Sequence, residues 1–151
     1  MKYKTIGAFK SVQNIPYCKA AVDMKIGMGV VLNRDTKVAQ LPTADEAKAT
    51  PYIVTNIIDQ PEVRDSNNFT IAKGEFVRAD DLRTVNGLEI EFSANEITTD
   101  IASIAKGELL GFGADGKLVK IAASTGYDTY FNVIEKTSYC NSGILAEIFA
   151  Q

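Results

Sequence analysis

The sequence predicts a mainly β protein, a small β-barrel or compact β-sandwich with internally repeated hairpin modules and one or two short helices. Three observations carry this. Short apolar or alternating runs recur between Gly, Asn and Asp punctuation, amphipathic helical periodicity is scarce, and a five-residue glycine-bearing stretch occurs twice. With 151 residues the chain suits one β-rich domain over residues 1-151, since domains cluster at about 100–150 residues.

Taken in order, the first segment sets Tyr3, Phe9 and Tyr17 among Lys2, Lys4 and Lys10. It reads either as an ordinary first strand or as an aromatic and basic arm over residues 1-17 that anchors on a partner protein. Val30-Val31-Leu32 enters the turn Asn33-Arg34-Asp35-Thr36 and Lys37-Val38-Ala39-Gln40-Leu41 leaves it, a hairpin. Thr43-Ala44-Asp45-Glu46 fits a capping box, and Pro42 and Pro51 confine that helix to about two turns. Tyr52 to Ile58 is β-branched and aromatic, bounded by Pro51 and Pro61, and suits a strand.

Glu75-Phe76-Val77-Arg78 and Leu88 to Phe92 continue the style. In the latter, Leu88, Ile90 and Phe92 face one way, and Glu89 and Glu91 face water. Asp80-Asp81 reads as a solvated loop, because no further oxygen ligands follow at calcium-loop spacing. Ile97, Ile101 and Ile104 fall at helical spacing before Gly107, or form an extended link. Glu108 to Phe112, the turn Ala114-Asp115-Gly116, Lys117 to Ile121 and Tyr130 to Glu135 are strand, turn, strand, strand. Lys136 to Tyr139 and Ile144 to Phe149, separated by Asn141-Ser142-Gly143, form a last hairpin.

The repeat is Ile71-Ala72-Lys73-Gly74-Glu75, recurring letter for letter as Ile104-Ala105-Lys106-Gly107-Glu108. A looser correspondence at an offset of eighty sets Gly27 to Val38 over Gly107 to Leu118, sharing Gly27/Gly107, Asp35/Asp115 and Lys37/Lys117. A lone hairpin cannot bury its apolar face, so the shared plan implies a module used twice around one core. Gly111-Phe112-Gly113-Ala114-Asp115-Gly116 imitates a dinucleotide fingerprint, but the strand-like Lys117-Leu118-Val119-Lys120-Ile121 follows where a helix must open. Asp115-Gly116 therefore reads as a hairpin turn.

Composition narrows the function. The chain has no His, which removes imidazole bases, proton shuttles and metal ligands, and its net charge of -3 gives no general attraction to phosphate backbones or anionic lipid. Carboxylate, lysine and hydroxyl chemistry survive, with Glu89 and Glu91 as the candidate acid–base pair against a bland reading as solvent-facing carboxylates. Cys18 and Cys140 lie far apart and outside any C-x-x-C pair, and are expected to be free, mostly buried thiols. The first ten residues lack the uninterrupted apolar region of a secretory signal, and no stretch reaches the ~18 apolar residues of a membrane span. Cytoplasmic synthesis is the expectation.

The Gly29-Val30-Val31-Leu32 strand and Asp35-Thr36-Lys37-Val38 turn, their counterparts Lys106 to Leu110 and Asp115 to Leu118, and the Asn132 to Lys136 strand together resemble the small decoration, or cement, proteins of tailed-bacteriophage heads. The resemblance covers about half the chain, Met24 to Ile58 and Ile104 to Phe149. It implies a virion structural protein with no catalytic residues, cofactor or metal, on the capsid exterior after synthesis in the host cytoplasm. Its partners would be the major capsid protein and its own copies, a trimer being common, with no nucleic acid or membrane. Family members commonly reach across with their N-terminal segment, which places partner binding at Lys2, Tyr3, Lys4, Phe9, Lys10 and Tyr17. The alternatives are a head-fibre base or tail protein, and a small-ligand-binding or enzymatic β-barrel.

Overall fold

A computed structural model describes residues 1–3, 14–58 and 69–151. Its strands are β1 (Lys2–Tyr3), β2 (Asn14–Ala20), β3 (Gly29–Asn33), β4 (Val38–Gln40), β5 (Tyr52–Val54), β6 (Phe76–Asp81), β7 (Glu89–Ser93), β8 (Leu109–Phe112), β9 (Leu118–Ile121), β10 (Thr129–Thr137) and β11 (Gly143–Ala150), with one α-helix, α1 (Glu46–Ala49). Strands β2-β4-β3-β5-β6 close a barrel, and β1-β7-β11-β10-β8-β9 form a six-stranded sheet. The protein is mainly β, as the alternating runs predict.

The two units share one plan. In the barrel β3 pairs antiparallel with β4 and β5, and β5 with β6; in the sheet β8 pairs antiparallel with β9 and β10, and β10 with β11. The barrel is closed by β2, which runs antiparallel to β6 and parallel to β4. In the sheet β7 runs antiparallel to β11, and the chain beyond it makes a parallel bridge from Ile97 to Leu118 of β9. The Thr98 N–H then donates to the Leu118 carbonyl at 2.7 Å, and Thr99 Oγ1 accepts the Lys120 N–H at 2.9 Å. A 3-10 turn at Ala94–Glu96 interrupts this second closure, and residues 97–99 blunt the edge of β9 that would otherwise be open to pairing.

The letter-for-letter repeat is a turn that launches a strand. Gly74 and Gly107 have φ of 87° and 83°, values that favour glycine. Each turn closes with an N–H of Glu75 or Glu108 on the carbonyl of Ala72 or Ala105, at 3.0 and 3.2 Å. The same glutamate side chain accepts the N–H of Ala72 or Ala105 at 2.9 and 2.8 Å. Each glycine then donates to a neighbouring strand, Gly74 to Ala20 and Gly107 to Val133, both at 2.8 Å.

Two further copies are less visible in sequence. At Met24–Met28 and Thr84–Leu88, Gly27 and Gly87 have φ of 89° and 78° and donate to Val54 and Ile148 at 2.9 and 2.8 Å. The strands β3, β6, β7 and β8 each begin on the residue after such a turn. In the first of these two copies Met28 Sδ, at 3.3 Å from the Lys25 nitrogen, takes the place of the glutamate carboxylate.

Of the other expectations, some hold and some are corrected in detail. The capping box forms, with Thr43 N–H on Glu46 Oε2 at 2.8 Å and Glu46 N–H on Thr43 Oγ1 at 3.3 Å, but α1 is a single turn that ends as Thr50 turns extended before Pro51. The strand from Tyr52 stops at Val54, because the Asn56 amide takes over the ladder: its Nδ2 donates to Phe76 O and its Oδ1 accepts from Arg78 N. Ile101 enters a 3-10 turn, Ile101–Ser103, in place of a helix. Asp80 and Asp81 lie inside β6 and are buried, and Glu91 is buried rather than wet. The Asp115-Gly116 turn is a hairpin turn with Gly116 at φ 76°, followed directly by β9. Cys18, buried, and Cys140, half-buried, are free thiols.

One core fills the barrel around Cys18, Met24, Val30, Val54, Ile71 and Val77. A larger one lies under the six-stranded sheet around Phe92, Phe112 and Phe131 and takes in Ile53 and Leu82 from the barrel side.

Candidate functional site

Three of the exposed large apolar side chains are Tyr17 on β2, Phe76 on β6 and Ile57 beyond the end of β5. Phe76 lies opposite Lys19 in the ladder, and the Lys19 ammonium sits 5.3 Å from its ring centroid. Tyr17, two residues before Lys19, lies in the bulge between Ile15 and Cys18, and Ile57 follows the Asn56 amide that clamps Phe76 and Arg78. Phe76 is 60% and Ile57 71% exposed, although large apolar side chains are ordinarily core residues. Around the barrel from here, Arg34 and Arg83 both donate to the Tyr52 hydroxyl, at 3.1 and 3.4 Å, and Arg83 grips Asp81 through two hydrogen bonds of 2.9 and 2.6 Å. The Asp81 carboxylate holds the Arg83 pKa well above its ordinary value.

Along β6, Phe76, Arg78 and Asp80 alternate onto the same face, and at Asp80 that face ends in a cleft of about 460 Å³ against β1. Asp80 is 4% exposed. Tyr3 Oη donates to its Oδ2 at 3.2 Å, and Arg78 Nε is 4.0 Å from its Oδ1. Asp80 Oδ1, Arg78 Nε and Thr55 Oγ1 are buried and make no well-formed hydrogen bond. Burial raises the Asp80 pKa, opposed by the Thr55 hydroxyl, Arg78 and Tyr3; burial and the Asp80 charge together push the Tyr3 phenol up.

Beside the cleft, β1 covers part of β7 with Lys2 opposite Glu91 and Tyr3 opposite Ile90. Lys2 Nζ is 3.1 Å from Glu91 Oε2 and 4.6 Å from the Tyr139 ring centroid. The Met1 ammonium ion-pairs with Glu96. Glu96 also caps the 3-10 turn through the Ser93 N–H at 2.6 Å.

Of the six residues expected to meet a partner, Lys2 and Tyr3 are thus seated on the chain's own sheet and Tyr17 is exposed on the barrel. Lys4, Phe9 and Lys10 lie outside the described residues. The structure does not make Glu89 and Glu91 an acid–base pair: Glu91 is held by Lys2, and Glu89 lies opposite Glu147 of β11. Among the described residues no group of three or more carboxylates or thiols is placed to hold a metal, and no helix is long and apolar enough to cross a membrane. Searches of family models, of curated proteins and of solved structures find no match to the chain.

The buried carboxylate makes a pH prediction. Asp80 binds its proton more tightly folded than unfolded, so rising pH deprotonates the unfolded chain first, from the ordinary Asp value of about 4 upward. Its contribution to stability is therefore greatest below that value and falls as pH rises through the raised folded pKa. Asp80→Asn keeps an acceptor for Tyr3 and removes the titration. Urea midpoints at pH 4 and pH 7 should show the variant gaining on the parent at the higher pH; an unchanged difference would refute the assignment.

Proposed function

We propose that this chain is a non-catalytic, protein-binding structural subunit of a virion, a decoration or cement protein seated on the outside of an assembled phage head and contacting the major capsid protein. The observation that carries the reading is the barrel face of Tyr17, Phe76 and Ile57, edged by Lys19, Arg78 and Arg34. Aromatic side chains and arginine are the residues enriched where protein interfaces bury their energetic centres. The sequence resemblance supplies the particular partner. On a closed lattice many copies of one modest contact act together, and anything that binds only the assembled shell stabilises it by mass action.

The test is co-sedimentation of the purified chain with heads of the phage that encodes it, followed by imaging of antibody-labelled virions. Deleting residues 1–17 is a poor probe, because it removes β1 and the Asn14–Tyr17 part of the strand that closes the barrel. The surface pair Tyr17→Asp and Phe76→Asp leaves the ladder intact and is expected to weaken head binding by about tenfold or more. Regular labelling of heads supports the reading. Labelling of tails or fibres alone, or no association, overturns it.

A further inference from the structure

We propose that the cleft where β6 meets β1 binds a neutral polyhydroxy ligand, a pyranose sugar, with Asp80, Arg78 and Thr55 as its hydrogen-bonding groups. This goes beyond the head-surface reading and does not rest on it, since the purified chain alone tests it.

Three polar atoms of the cleft call for a partner. Asp80 Oδ1, Arg78 Nε and Thr55 Oγ1 are buried without a well-formed hydrogen bond, and all three residues line the cleft. Buried polar atoms are nearly always paired, because one left alone forfeits the hydration it gave up on burial. The Asp80 side chain is only 5% exposed, and the Tyr3 hydroxyl serves its other oxygen, Oδ2. The Asn56 amide does not serve them either, since its two polar atoms are engaged on Phe76 O and Arg78 N.

The spacing of these atoms selects the ligand. Arg78 Nε stands 4.0 Å from Asp80 Oδ1, too far for a hydrogen bond between them. An oxygen seated about 2.8 Å from both would accept from the guanidinium and donate to the carboxylate. A hydroxyl does both from one atom, whereas an ammonium only donates and an ionised carboxylate only accepts. Thr55, whose hydroxyl acts on the same carboxylate, gives a second contact for a neighbouring hydroxyl. The charges agree with a neutral ligand. Asp80 offsets Arg78, and Lys2, also on the lining, is paired with Glu91 at 3.1 Å. An ion of either sign therefore meets a repelling group beside each attracting one. Ile26, Ile57 and Ile58 supply apolar wall for the C–H face of a sugar ring, and about 460 Å³ lies within the range of small-molecule sites.

Saturation-transfer NMR of the full chain at pH 7 reads binding, with the methyl glycosides of glucose, galactose, mannose and N-acetylglucosamine as probes. At least one is expected to bind with millimolar affinity and, in a titration of ¹⁵N-labelled chain, to shift the amides of Thr55, Asn56 and Arg78. Thr55→Val, which keeps the side-chain shape, and Asp80→Asn are each expected to weaken that binding about tenfold, the scale of one hydrogen bond at a charged site. Circular dichroism checks that each variant is folded, and Thr55→Val decides alone where Asp80→Asn is not. Ammonium, acetate and acetamide, the last donating and accepting from separate atoms, are expected not to displace the glycoside. Binding by none of the four glycosides overturns the proposal. So do shifts confined to other residues, an affinity that Thr55→Val leaves unchanged, or displacement by any of the three small competitors.

Discussion

Replacing Phe131 by alanine is expected to lower the unfolding free energy by about 3–5 kcal/mol, the range for emptying a buried aromatic site. Phe131 stands on β10 with no exposure, at the meeting point of three strands. Its ring meets Phe92 of β7 at 5.1 Å and Phe112 of β8 at 5.4 Å, both edge-to-face at 82° and 83°. Truncation leaves two rings without their shared partner, and β10 cannot collapse onto the gap because β8 and β11 hold it on both sides. The outer face of the same strand is the control: Tyr130 stacks on Phe149 at 4.9 Å but is only half-buried, so Tyr130→Ala is expected to lose about 1 kcal/mol. With no Trp in the chain, urea unfolding followed by circular dichroism is the suitable measurement. A loss below about 1.5 kcal/mol at Phe131 would show that the core relaxes into the space.

The hairpins were legible because their turns depend on particular side chains. Asn33 Oδ1 accepts the N–H groups of Asp35 and Thr36 at 3.1 and 2.9 Å, and Asp115 Oδ1 accepts that of Lys117 at 3.0 Å. The five-letter repeat was legible for the same reason, since its glutamate closes the turn that its glycine permits. Of its two other copies, the one at Gly27 was caught only through the looser offset of eighty and the one at Gly87 was not seen, because only the glycine is indispensable and neither Met28 nor Leu88 advertises the role. The duplicated strand plan extends beyond letters altogether: β2 and the path from β7 to Ile97 share neighbours and directions without a shared sequence.

The candidate site was mostly hidden. Tyr17 stood out as an aromatic among lysines, whereas Phe76 and Ile57 are residue types that are ordinarily buried. Asp80, Asp81 and Glu91 read as solvated because carboxylates usually are. Asp80 is met by Tyr3, 77 residues away, and Glu91 by a strand of two residues with no periodicity to detect. Long-range pairing of this kind leaves no local signature. The same is true of Glu96, whose local role as a cap for Ser93 gives no hint of the ammonium it also holds.

Gly29→Ala should be among the damaging single-methyl changes, because it acts where the barrel meets the sheet. Gly29 opens β3, its N–H donates to the Gly116 carbonyl at 2.7 Å, and a Cβ there would stand 2.5 Å from Cγ of Phe112. Its φ lies outside the left-handed region, so the penalty is one of space alone. Phe112 is buried and packed edge-on against Phe131, so its ring cannot yield without disturbing the phenylalanine cluster. Overpacking of this kind costs about 1–3 kcal/mol, and the stem of a buried ring places Gly29→Ala toward the upper end. Gly74→Ala is the converse case, with open space around the new methyl but φ at 87°, and should cost about 1 kcal/mol through backbone strain. The two are separable by a second substitution. Phe112→Ala removes the Cγ and ring atoms that Gly29→Ala strikes, so the Gly29→Ala and Phe112→Ala double variant should be more stable than the sum of the single losses predicts, by about 1 kcal/mol. Gly74→Ala combined with Phe112→Ala should be additive within about 0.5 kcal/mol, the strain at Gly74 being independent of the ring. Additivity in the Gly29 pair would mean that the barrel and the sheet do not bear on each other at this contact.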